Sequence, residues 1–451
     1  MNNLKISNSL TRSKDLFKPI NSNNITMYVC GPTIYADPHV GNGRSLIVFD
    51  LLYRVLIKLY GQKNITYVRN ITDVDDKIIE TSKTKGVSID KITFDVTKIF
   101  HGNVKDLNCI EPTSEPRATD HIKEMIEMIE SLIKKNIAYV NNGHVYFLIS
   151  KFKNYGKLSN KKLDDLVAGS RVEISKLKKN PLDFILWKPA LAEEPGWDSP
   201  WGRGRPGWHL ECSVMSEKYL GKTFDIHGGG LDLLFPHHEN EIAQSCANNS
   251  TDTLANYWVH NGFLTMNKEK MSKSLGNIET ISEVLSKYNG QVIRIALLSA
   301  HYKQPLDWTE NLLEQSKATL EKWYALYDET ESKIDNNEIF SCLLDDLNTP
   351  KYFAKLHELY NSALKGDKTK RVEFNDACRL IGIFNQKKDV LIKQKQDASN
   401  IDKKYILQKI KERIKARKIG DFKLADKIRD DLSKNGIVIK DKDNKTEWEY
   451  K

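Results

Sequence analysis

Residues 24–30, Asn-Ile-Thr-Met-Tyr-Val-Cys, read as a buried strand that stops at Gly31-Pro32. Beyond a Pro- and Gly-punctuated loop, Leu46, Val48, Phe49, Leu52, Val55, Leu56 and Leu59 recur at helical spacing. They predict a helix over 45–60 that Gly61 ends. Residues 64–71 predict a second strand, and residues 72–76 the start of another helix. Strand, loop, helix, strand is the opening of a doubly wound α/β parallel sheet, a Rossmann-like fold. Ligands of such sheets sit beyond the carboxyl ends of the strands. Cys30, His39 and Thr72 all fall at that edge.

The stretch from Asp225 to Glu241 returns to the same edge. Residues 222–226 predict the end of a strand, and Gly228, Gly229 and Gly230 a loop where backbone can lie against a ligand. Pro236 suits the first turn of a helix. His237 and Glu241, four apart, would share one helix face. Such a pair can hold a metal or merely cap and solvate a helix, and the stretch alone leaves both open. Residues 257–260 predict a further strand. Residues 266–277 then hold Lys268, Lys270 and Lys273 among Ser and Gly, a cationic loop suited to clamping a polyphosphate.

The remaining segments arrange themselves around this sheet. Residues 4–20 predict a hairpin over the core. Residues 116–205 predict an insertion, with a helix over 121–135 and a hairpin turning at Asn141-Asn142-Gly143. Its end, rich in Gly, Pro and Trp, leads into a helix from His209 that carries Cys212 near its start. Trp208 is open between loop packing and a pocket wall. From Leu312 the pattern is that of a helical bundle. Residues 387–404 form a polar linker, and 405–416 and 422–432 predict two helices with basic faces before a short strand at 436–439. The expected division is a Rossmann-like catalytic domain (1–115 and 206–260) and a connective insertion (116–205). A lysine-loop region (261–315), a helical bundle (316–390) and a small mixed RNA-binding domain (401–451) follow.

Composition changes this picture little. At 451 residues the chain is too long for one core; it is 40% hydrophobic and 29% charged. No apolar run reaches membrane-spanning length, so no membrane partner is expected. With no export signal at 1–20, a reducing cytoplasm is the expected setting. There, six cysteines suit metal binding better than a disulfide framework. The net charge of +9 is uneven: residues 401–451 hold sixteen Lys and Arg against ten Asp and Glu. A polyanion such as RNA fits that end, as does a lysine-rich surface with no partner. Trp448 is open between stacking on a splayed base and plugging the last domain.

Together these residues resemble a known family over essentially the whole chain. His39-Val-Gly41-Asn42 is similar to the HIGH motif of class I aminoacyl-tRNA synthetases, with Asn42 where that motif ends in His. Lys270-Met-Ser-Lys273-Ser matches their KMSKS motif. The segments 28–33, 207–213 and 235–241 are similar to those of the cysteinyl-tRNA synthetase family. The resemblance implies one zinc ion per chain on Cys30, Cys212, His237 and Glu241, a sound donor set for zinc. It implies activation of L-cysteine by ATP with magnesium, then transfer to the 3′ end of tRNA(Cys), by a monomer. His39, Lys270 and Lys273 would stabilise the reacting phosphates. Gly41, Asn42, Asp232, Val259 and His260 would complete the ATP site. Thr72 and Trp208 would shape the cysteine pocket, and Trp448 would lie against the tRNA. A fold-mate joining activated cysteine to an amino sugar would share the zinc and ATP sites but need no basic tail. A zinc-stabilised RNA-binding protein would need no lysine loop.

Overall fold

The computed structural model describes residues 3–161, 177–271, 276–329, 337–387, 403–442 and 445–450. The chain divides into two compact units. One comprises Met1–Leu326 with Ser332–Ile383, and the other Tyr327–Glu331 with Phe384–Lys451.

The first unit is built on four parallel strands: β3 (Ile25–Val29), β4 (Ile65–Arg69), β9 (Phe224–Gly230) and β10 (Ala255–Asn261). Their order is β10-β9-β3-β4. Every residue of β3 is buried, as its apolar run requires. Helix α1 (Val40–Tyr60) links β3 to β4 and ends at Gly61, whose φ of 82° suits glycine. The β9-to-β10 connection runs to the opposite side of the sheet. The topological switch point therefore lies between β3 and β9, where ligands of such sheets bind. The β1–β2 hairpin (Lys5–Asn8, Ser13–Leu16) lies against β10, with the Ser9 N–H donating to Trp258 O at 2.8 Å.

The insertion carries α4 (Ile122–Lys134) and an antiparallel sheet of β5 (Ala138–Asn141), β6 (His144–Phe147), β7 (Phe184–Pro189) and β8 (Gly204–Pro206). Its core is continuous with the underside of the catalytic sheet, through Trp187, Phe147, Leu210 and Trp258. Four helices of the expected bundle follow: Glu310–Tyr324, Asn337–Leu344, Thr349–Leu364 and Lys368–Leu380. The second unit holds helices Lys403–Lys418 and Phe422–Lys434 and a hairpin of Ile437–Lys442 with Lys445–Tyr450. Its small core is Ile406, Ile410, Ile428, Leu432, Ile437 and Ile439. Most of the expected linker at 387–404 lies outside the described residues. Among the described residues no helix is long and apolar enough to cross a membrane.

Two local expectations are corrected. Gly228, Gly229 and Gly230 are not a loop; they are the last residues of β9. They are glycines because neighbours approach the strand closely. A Cβ on Gly228 would stand 2.2 Å from the Phe49 ring, and one on Gly229 2.9 Å from the His238 ring. Gly228→Ala should lower stability by ~1–3 kcal/mol through overpacking. Thermal unfolding measures it, and an unchanged midpoint would show that α1 can retreat. Pro236 does not open the next helix either. Phe235 is extended (φ −142°, ψ 131°), so Leu234–His238 form an interrupted turn, and the α-helix α6 begins at Glu239 and runs to Asn249.

Candidate active site and metal centre

Four segments converge on the switch point. Cys30 follows directly on β3, and Asn70 and Thr72 follow β4. Cys212 lies one turn into α5 (Trp208–Leu220). His237 and Glu241 come from the turn and first residues of α6. Cys30, Cys212, His237 and Glu241 each offer one donor atom, all within 4.8 Å of one another. The two sulfurs are 3.6 Å apart, Cys30 Sγ is 3.6 Å from Glu241 Oε1, and His237 Nε2 is 3.0 Å from the same oxygen. Tetrahedral zinc with bonds of about 2.0–2.3 Å needs ligand-to-ligand edges of about 3.3–3.8 Å, so the two edges that involve sulfur already have the required length. Cys30, His227, His238 and Glu241 also cluster within 4.8 Å. The donor chemistry separates the two sets, since only the first supplies two thiols.

Each of the four has a second partner behind it. His209 Nδ1 lies 2.9 Å from His237 Nδ1, and His227 Nε2 lies 2.7 Å from Glu241 Oε2. His238 Nε2 is 3.4 Å from Cys30 Sγ, and Cys212 Sγ is 3.6 Å from Asn70 Oδ1. Such outer contacts fix the orientation of ligating groups. Burial and charge set the protonation. Burial opposes the Cys212 thiolate, but donation from Cys30 and His237 brings its pKa down to about 6. Burial and the neighbouring Cys212 push the Cys30 thiol up. Burial opposes an imidazolium at His237, yet the Glu241 and Cys212 charges raise its pKa to about 10. Burial also opposes ionised Glu241, and the His227 and His237 rings hold its pKa well below the ordinary carboxylate range. Two donors, Cys212 and Glu241, are thus held as anions in a buried place, balanced here by the His237 imidazolium that a bound cation would replace.

The residues beside the cluster form a connected polar chain. Gly31 N–H donates to Asn70 Oδ1 (2.9 Å), which turns Asn70 Nδ2 toward Thr72 Oγ1 (3.2 Å). Thr72 in turn donates to Glu211 Oε2 at 2.9 Å. Trp208 is 39% exposed and stacks on His237 with ring centres 4.3 Å apart, so it packs against the cluster.

The His39 loop caps α1. His39 Nδ1 accepts from the Asn42 N–H (3.3 Å), and Asn42 Oδ1 accepts from the His39 N–H (3.1 Å). Asn42 therefore keeps its amide N–H groups as donors at a helix N-terminus. A Cβ on Gly41 would sit 2.8 Å from the His39 ring and 3.6 Å from the Met271 methyl. The loop also pairs with the far side of the lysine loop: Val40 N donates to Glu279 O, and Ile281 N to Pro38 O. The two motifs are thus neighbours. Lys270 ends a short strand, Glu269–Lys270, and Lys273 lies outside the described residues. Asp232 stands exposed just past β9. Val259 and His260 pair with Gly228 and Gly229, and the His260 ring bridges Ser9 (2.7 Å) and His238 (2.8 Å). Trp448 lies in the second unit, half-buried against its core.

His209, His227, His238, Asn70 and Glu211 have no role on sequence grounds. His227 and His238 stand in the Asp225–Glu241 stretch; His227 meets Glu241 of the same stretch, whereas His238 meets Cys30 and His260 from outside it, and only the fold brings these groups together.

The comparisons with known proteins agree with this arrangement. Residues 16–318 match the class I (C) tRNA synthetase catalytic domain, and residues 410–448 the cysteinyl-tRNA ligase anticodon binding domain. The chain is 56% identical over 447 residues to a cysteine–tRNA ligase of Pelagibacter ubique, covering 99% of each. It is 48% identical to one of Rickettsia bellii, covering 97% of each. A solved Mycobacterium tuberculosis methionyl-tRNA synthetase in complex with methionyl-adenylate shares the fold, with a TM-score of 0.57 at 12% identity. That match covers 80% of this chain and 89% of the other. The fold and site thus define a class I tRNA synthetase catalytic domain. The chain belongs to the cysteine–tRNA ligase family.

Proposed function

We propose that the chain activates L-cysteine with ATP, releasing diphosphate, and passes the cysteinyl group to the 3′ end of tRNA(Cys), with zinc held by Cys30, Cys212, His237 and Glu241. The observation that carries this is the buried two-thiol, imidazole and carboxylate cluster at the switch point of the sheet. Bound there, zinc supplies a soft centre that favours a thiolate over a serine hydroxyl. Discrimination of ~10⁴ corresponds to about 5.5 kcal/mol, more than a hydrophobic pocket gives between near-isosteres.

The other residues position and stabilise. Thr72 and Trp208 form the wall that orients the amino acid beside the cluster. The amino acid's carboxylate attacks the α-phosphate of ATP, and diphosphate leaves with the bond's electron pair. His39, Gly41 and Asn42 present N–H donors and the positive end of α1 to the phosphates. Lys270 and Lys273 hold the leaving diphosphate, accompanied by magnesium. Asp232 takes the ATP ribose, and the backbone at Val259 and His260 the adenine. The tRNA's terminal hydroxyl then attacks the activated carbonyl, and AMP leaves. No covalent enzyme intermediate is required.

The domain at 401–451, with Trp448, would engage the anticodon. Deleting it should leave cysteine-dependent ATP–diphosphate exchange within about twofold. Charging of tRNA should fall by at least about fivefold for each lost base contact, since each carries ~1–3 kcal/mol. Equal loss of both activities would make the domain structural. The test of the whole reading is that exchange run with cysteine and then serine. Comparable exchange with both would defeat it.

A further inference from the structure

A cavity of about 320 Å³ opens beside the carboxyl end of β10, separate from the four-residue cluster. Ser7, Ser9 and Arg12 of the β1–β2 hairpin, Ser159, His260 and Lys303 line it, and no carboxylate does.

The hydrogen bonds show what the lining has left to give. Ser7 donates its hydroxyl to Asp346 Oδ2 (2.6 Å), so its oxygen accepts from Lys303 Nζ at 3.0 Å. That contact fixes the ammonium at the wall, with further N–H donors remaining for a ligand. Arg12 Nη2 donates to the Lys157 carbonyl at 3.2 Å. Among the described residues neither Arg12 nor Lys303 has a carboxylate within ion-pair distance. The Ser159 hydroxyl is buried and has no hydrogen-bond partner. Arg12 has φ of 58° in the hairpin turn, which its N–H closes by donating to Asn8 O at 2.7 Å. Two cations with no ion-paired carboxylate among the described residues, beside an unsatisfied hydroxyl, describe an anion site, and the fork of a guanidinium suits phosphate best.

We propose that this cavity binds a phosphate group, that of a phosphodiester in the 3′-terminal strand of the tRNA as it enters the active site. The assignment to RNA rests on the ligase reading above and on position. His260 lines the cavity and bonds His238 (2.8 Å), which lies 3.4 Å from Cys30 Sγ. Two rings therefore link the cavity wall to the cluster, which puts it next to the place where the terminal hydroxyl must arrive. A free phosphorylated small molecule offers the same chemistry from another source.

The test uses the full chain with Arg12→Ala and Lys303→Ala combined, and separately Ser159→Ala. Arg12 and Lys303 are exposed, so the fold tolerates their loss. Cysteine-dependent ATP–diphosphate exchange should stay within about twofold, while single-turnover transfer to tRNA falls at least about tenfold. The salt slope of tRNA binding should drop by about one for each phosphate contact removed. Titration with inorganic phosphate distinguishes the source. Saturable phosphate binding lost in the double variant, with transfer unchanged, supports the site with a small-molecule ligand. Unchanged transfer together with unchanged phosphate binding overturns the proposal, as does exchange that falls in step with transfer. A wild-type chain that charges no tRNA defeats the ligase reading instead, and the phosphate titration then decides the site alone.

Discussion

Cys212→Ser should reduce cysteine-dependent ATP–diphosphate exchange by well over about 100-fold, the upper end of what loss of an outer-shell partner costs a metal site. Cys212 is 2% exposed and contributes one of only two sulfurs in the cluster. A hydroxyl at that place stays protonated and is a poor partner for zinc. Zinc content, measured by elemental analysis of the purified chain, should fall from one per chain toward none. Cys246→Ser, at a cysteine buried elsewhere on α6, should keep its zinc. If Cys212→Ser retained both zinc and exchange, the donor set would be wrong. The alternative set with His227 and His238 would then take its place.

Asp50→Ala should lower the stability of the first unit by ~3–5 kcal/mol, because it strands a buried guanidinium. Asp50 Oδ2 accepts from Arg294 and from Arg54 Nε (2.7 Å), and Oδ1 accepts from the Ile110 N–H (2.7 Å). Arg294 is fully buried and also donates to the carbonyls of Ile381 and of Leu107 (3.2 Å). One ion pair thus ties α1, which presents His39, to a helix at Gly290–Leu298 and to the end of the helical bundle. The urea midpoint of the first unit reports the loss. Replacing both partners with apolar residues of similar volume should recover much of it. A midpoint that does not move on Asp50→Ala would mean that Arg294 finds water or another acceptor.

The sheet was legible because its signals are local. An apolar run ended by Gly-Pro at 31–32, a helix stripe ended by Gly61, and a repeat of the pattern at 224–261 are enough to place strand ends and their shared edge. Cys30 falls at such an end and His237 and Glu241 at helical spacing just past another, but the grouping of all four with Cys212 came from the family resemblance. What sequence could not give was anything set by approach in space. Three consecutive glycines look like a loop until Phe49 and His238 are seen pressed against the strand. Pro236 looks like a helix start until Phe235 is found extended. His209 and His227 carry no pattern at all. Their roles come from groups on other elements, the His237 ring and the Glu241 carboxylate, at separations of 28 and 14 residues.

The central claim is that a metal on these four side chains receives the sulfur of the amino acid. Zinc K-edge absorption of the purified chain, before and after cysteine is added, tests it most directly. The predicted result is a first shell of two sulfurs and two nitrogen or oxygen atoms that gains a third sulfur with cysteine and is unaltered by serine. A shell with one sulfur, or one that cysteine leaves unchanged while ATP–diphosphate exchange proceeds, would contradict it.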